Sequence, residues 1–138
     1  MLAVVLATWM LQTTMPITTI AAGGVSNIME AREVVVKTAA DWETLWREHS
    51  FDNVARPPVD FAKVMVVGVF LGSRNTGGYG VTIVSVEQAL DALVVRYTEK
   101  RPDRGAMVAQ VITAPFHLVS VPRFEGPVRF ERATAKQE

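Results

Sequence analysis

The stretch Lys63–Val84, KVMVVGVFLGSRNTGGYGVTIV, decides how the rest of this chain is read. A strand with one wet face alternates apolar and polar residues, whereas Val64 to Leu71 is apolar throughout. The run therefore predicts a central strand covered on both faces. Polar and glycine-rich residues follow from Gly72 to Gly80, and a second apolar strand begins at Val81. The intervening loop is expected to set Arg74, Asn75, Thr76 and Tyr79 at one exposed end of a sheet.

Upstream, Pro16 suits a strand start and leads into a short strand over Ile17–Ala22. Gly23, Gly24, Ser26 and Asn27 supply turn chemistry, and Arg32–Lys37 reads as another short strand. A helix is expected over Ala39–His49. Thr38 is its N-cap, and Asp41 stands three residues later at the positive end of the helix dipole. Trp42, Leu45, Trp46 and His49 fall at i, i+3, i+4 and i+7, one apolar stripe that docks the helix on the sheet. Two exposed indoles would instead make a platform for a glycan. Asp41, Glu43, Arg47 and Glu48 form the solvated face. Pro57 and Pro58 keep Phe51–Asp60 as a connecting loop.

Downstream, Gly80–Val86 continues the second strand, and Glu87–Ala92 is expected to turn the chain. Leu93, Val95 and Tyr97 alternate with Val94, Arg96 and Thr98, the period of an antiparallel strand. Arg101–Gly105, RPDRG, is a second loop. Met107–Thr113 reads as a strand stopped by Pro115, followed by extended chain over Phe116–Val121 and a last strand at Val128–Phe130. The fold class is mainly β within α+β: an antiparallel sandwich or open barrel with one amphipathic helix packed on the sheet.

At 138 residues the chain fits one domain. Lys plus Arg equal Asp plus Glu at 14 each, so no charge bias draws it to nucleic acid. Cysteine is absent, which excludes disulfides and thiolate chemistry without fixing a compartment. The compartment is read from the amino end. No charged residue precedes Glu30, and residues 1–11 are an apolar block shorter than the roughly 20 residues of a membrane-spanning helix. That block suits the core of a secretion signal without its basic flank, as a start codon placed too far downstream would leave it. The expectation is a leader or apolar segment over residues 1–15, one β domain over 16–138, export to the periplasm, envelope or exterior, and no stable membrane span in the mature form.

Reactive groups are sparse. His49 and His117 are the two histidines, and no metal-ligand motif accompanies them, so neither metal nor cofactor is expected. His117 and Ser120 lie three apart on a strand and point to opposite faces, which excludes a dyad within the strand. Thr76–Gly80, TGGYG, lacks the lysine and following helix of a phosphate loop. Its glycines permit a tight turn that either projects Tyr79 as a protein-recognition anchor or packs it beneath the loop. Arg74, Arg101 and Arg104 are candidates for a basic rim.

The order DFAKVMVVGVFLG, RNTGGYGVTI, VVRYTEKRPDRGAMVAQVITAPFHLVSVP and PVRF, with Trp42 and Trp46 upstream, resembles the C-terminal domain family of PrcB, a subunit of a bacterial surface protease complex. The resemblance spans residues 17–131. It implies a non-enzymatic accessory protein that binds or stabilises a protease or envelope complex, and it supplies no catalytic residue. It marks Gly77, Gly78, Tyr79, Pro102, Pro115 and His117 as a functional or structural surface. A shorter likeness, the Thr-Gly-Tyr loop with a later Arg-Pro loop, is similar to chagasin-type cysteine-protease inhibitors, but Asp103 stands where those carry an aromatic residue. The expected binding residues are thus Arg74, Asn75, Thr76, Gly77, Gly78, Tyr79, Arg101, Pro102 and His117. The partner is a protein, a protease by family resemblance; inhibitor and small-ligand or glycan-binding domain are the alternatives.

Overall fold

Side-chain alternation along one strand sets the layering. The computed structural model describes residues 13–51 and 54–133. Its elements in chain order are β1 (Thr13–Thr14), β2 (Thr18–Gly23), β3 (Arg32–Val36), α1 (Ala39–His49), β4 (Val64–Phe70), β5 (Gly80–Ala89), β6 (Ala92–Lys100), β7 (Phe116–Pro122) and β8 (Val128–Arg132). They form two four-stranded sheets, ordered β1-β5-β6-β8 and β2-β7-β4-β3. Of the two architectures open in the sequence, the structure has the sandwich: the sheets pack face to face without closing into a barrel.

Within β4, Met65, Val67 and Val69 enter the core between the sheets, with Ile83, Val86, Leu93, Val95, Val119 and Val121. Val66 and Phe70 point the other way and join Trp42, Leu45, Trp46, Phe116 and Leu118 beneath α1. The unbroken apolar run is thus explained by a strand sandwiched between a sheet and a helix. Gly68 falls on the helix-facing side with Val66 and Phe70, where a Cβ would come within 2.3 Å of Leu118 Cδ2.

Helix α1 starts where the sequence places it. The Thr38 hydroxyl accepts the Asp41 N–H at 3.1 Å, satisfying one of the donors a helix start leaves open. Both indoles are buried, Trp42 at 2% and Trp46 at 7% exposure. Their N–H groups donate to the carbonyls of Pro57 and Val54, fixing the proline-containing loop against the helix. The indoles are anchors, and no glycan platform forms from them.

Four features depart from the sequence reading. The expected turn at Glu87–Ala92 shrinks to Leu90–Asp91, because Glu87, Gln88 and Ala89 stay paired with β6 and Glu87 forms an ion pair with Arg96. Met107–Thr113 is not a strand: Thr113 alone bridges to Arg74, and the preceding residues run as an exposed loop. β8 pairs with β6 in parallel, from Leu93↔Val128 to Tyr97↔Arg132. Parallel neighbours need a long crossover, and here the loop after β6 plus β7 in the opposite sheet supply it. Finally, Thr13 and Thr14 pair with Gln88 and Glu87, so the sheet extends ahead of residue 16. Residues 1–12, most of the expected leader, lie outside the described residues. Among the described residues no helix is long and apolar enough to cross a membrane.

Candidate functional site at the loop end of the sandwich

The chain leaves β4 through Gly72, whose φ of +81° suits glycine; a Cβ there would also meet the Ala31 nitrogen at 2.7 Å. The loop between β4 and β5 then zips onto the loop between β6 and β7. Arg74 and Thr113 exchange both backbone hydrogen bonds, at 2.7 and 2.9 Å, and the Gly77 N–H donates to Ala109 O at 2.9 Å. The Thr113 hydroxyl donates to Thr76 O at 2.8 Å. Gly78, at φ +93°, lies so close to Pro102 that a Cβ would stand 2.8 Å from the proline Cβ. A shallow cleft of about 200 Å³ results, lined by Gly78, Arg101, Pro102, Asp103 and Val108 among others.

The electrostatic centre of this end is Glu99, which the sequence reading did not single out. Its side chain is only 4% exposed. Arg74 donates to it through Nε at 3.2 Å and Nη2 at 3.0 Å, and Arg132 through Nη1 at 3.1 Å. Arg101 stands farther off, its Nε 3.9 Å away and its side chain 72% exposed. Arg74 also donates to Leu71 O and Ser73 O and lies 5.6 Å from the Tyr79 ring centroid, in cation–π range. Arg74 is therefore a structural cation that holds its loop to β6, and Tyr79 is half-buried against it. Lys100 at the end of β6, and Arg101 and Arg104 in the second loop, are exposed basic groups.

Of the expected binding residues, Arg74 to Tyr79, Arg101 and Pro102 come together at this end. His117 does not reach the surface. It faces the opposite sheet at 7% exposure, where Nδ1 accepts the Ile83 N–H at 2.9 Å and Nε2 bonds the Thr19 hydroxyl at 2.9 Å. Because Nδ1 is an acceptor, the neutral ring carries its proton on Nε2 and donates it to Thr19. It cannot take the Thr19 proton at that atom, so the pair is not an activated nucleophile. His49 is similarly occupied: the Ser26 hydroxyl accepts the Ile28 N–H and shares a hydrogen bond with His49 Nδ1 at 2.8 Å. Among the described residues no group of three or more metal-ligating side chains gathers.

Burial pushes both imidazoles below their ordinary pKa near 6.5. As pH falls through about 6.5, the unfolded chain binds two protons that the folded one resists, so stability drops with falling pH. The slope is at most about 1.4 kcal/mol per pH unit for each group. Urea unfolding midpoints should fall between pH 6.5 and 5, and a His49→Gln/His117→Gln variant should show a flatter profile. An equally steep profile in the variant would assign the effect elsewhere.

The family model of the PrcB C-terminal domain matches residues 65–122. This stretch belongs to the PrcB C-terminal family. The PrcB C-terminal match begins one residue into β4 and ends with β7, taking in both loops and Glu99. The motif order suggests residues 17–131; β1 to β3, α1 and β8 fall outside the match. No curated protein and no solved structure shows a significant match to the chain.

Proposed function

We propose that this chain is an exported, non-enzymatic interaction domain that binds or stabilises a protease or another envelope complex through the loop end of its sandwich. The observation that carries the reading is the PrcB C-terminal match over the segment that builds both loops. Arg101 and Pro102 lie beside the 74–79 loop, giving one continuous face with a half-buried aromatic ring and exposed cations. Aromatic and arginine side chains supply much of the binding energy at protein interfaces.

The test uses the full chain, tagged at its carboxyl end and recovered from its native cell with associated proteins. A protease or envelope protein should be retained by the unaltered chain and lost with a Tyr79→Ala/Arg101→Ala variant of unchanged unfolding midpoint. A folded bait that retains nothing would contradict the proposal. The adjacency of two loops at one sandwich end also suits a loop-inserting inhibitor, and the sign of the effect separates the two. Retained protease activity should be preserved or raised by a helper and abolished by an inhibitor.

A further inference from the structure

The second loop carries a strand-like sequence without a strand's partner. Residues 106–112, AMVAQVI, are apolar except for Gln110, yet Met107 is 99% exposed, Val111 56% and Ile112 63%. The stretch is tied down by the Ala106 N–H donating to Asp103 O, by the Gly77 N–H donating to Ala109 O and by the bridge at Thr113. Among the described residues the Val108 carbonyl accepts the exposed Gln110 side-chain amide alone, at 3.3 Å. Among the described residues no backbone carbonyl accepts the N–H groups of Met107 to Ile112.

We infer that residues 106–110 are a docking edge that receives an extended, acidic segment of a partner protein by strand addition. This rests on the interaction reading above and names what the loop end binds. An open backbone edge offers main-chain hydrogen bonds to an added strand, and the flanking side chains select it. Lys100 and Arg101 line the same cleft as Ala106 and Val108, Arg104 is exposed two residues before Ala106, and the carboxylates here are Asp103 and the buried Glu99 already shared by Arg74 and Arg132, so carboxylates on the incoming segment are favoured. A second copy of this chain would bring the same cations face to face. A lipid bilayer would leave the open N–H groups unsatisfied in hydrocarbon. Both occupants are thereby disfavoured.

The probe is a capped nine-residue peptide, an alternating valine–threonine centre with two carboxylates at each end, added to the full chain. Amide exchange at Val108 and Gln110 should slow by about tenfold or more, and an Arg101→Glu/Arg104→Glu variant should bind about tenfold more weakly at low salt. Gln110→Pro, which deletes an N–H without a backbone acceptor at an exposed position, should abolish binding, as should N-methylation of the peptide centre, which leaves the protein untouched. No binding at about 1 mM peptide overturns the inference, as does undiminished binding by the N-methylated peptide. Protection of the same amides by self-association or by phosphatidylglycerol vesicles, in place of the peptide, also overturns it. The two readings fail separately: a native partner retained through Tyr79 with unprotected Val108 and Gln110 would sink strand addition alone, and an empty bait would sink the interaction reading.

Discussion

Replacing Glu99 with alanine should destabilise the fold by about 3 kcal/mol, the lower end of the range for breaking a buried ion pair. The side chain is 4% exposed while that of Arg74 is 25% exposed, so water relieves part of the loss. What remains is a cluster of cations without a counter-charge, since Arg74, Arg132 and Arg101 all approach the same carboxylate. Glu99→Gln keeps the volume and one acceptor and should lose less. The damage should concentrate at the loop end, because Arg74 then releases β6, loosening its contact with Tyr79. Equilibrium urea unfolding measures the loss, and amide exchange over residues 73–79 locates it. A loss below about 1 kcal/mol would place Glu99 among ordinary surface ion pairs.

Trp42→Ala should cost about 3–5 kcal/mol, the usual range for removing a large buried aromatic side chain. Trp42 is 2% exposed and packs 5.5 Å, centroid to centroid, from Trp46. Its removal opens a cavity beneath α1 and leaves Pro57 O without its 3.0 Å donor. Trp42→Phe retains much of the packing but not the donor, so a loss of about 1–2 kcal/mol is expected. The difference separates the hydrophobic anchor from the loop-fixing hydrogen bond. Near-native stability of Trp42→Ala would contradict the docking of α1 on this sheet.

These two side chains show what was legible beforehand. Trp42 announced itself through helical spacing, the helix start followed from Thr38, and His49 closed the apolar stripe. Glu99 carried a quieter signal. It continues the alternation Leu93, Val95, Tyr97 and thus falls on the core-facing side of β6, where an acid requires a partner. The partners come from Arg74 and Arg132, too distant in sequence for periodicity to reveal. Met107–Thr113 misled for the opposite reason: its composition suits a strand, but strand formation needs a neighbouring edge, and the topology attaches it only at Ala109 and Thr113. The parallel course of β8 was likewise invisible, because local pattern does not record which sheet a strand joins.

The loop-end contact itself can be tested most directly by placing a photo-crosslinking residue at position 79 or 104, and separately at position 90, in the full chain expressed in its native cell. Leu90 sits in the β5–β6 turn, at the opposite end of that hairpin, and is 75% exposed. A discrete crosslinked protein from positions 79 and 104, absent from position 90, is the predicted result. The same product from position 90 alone, or no product from the loop end, would contradict the account.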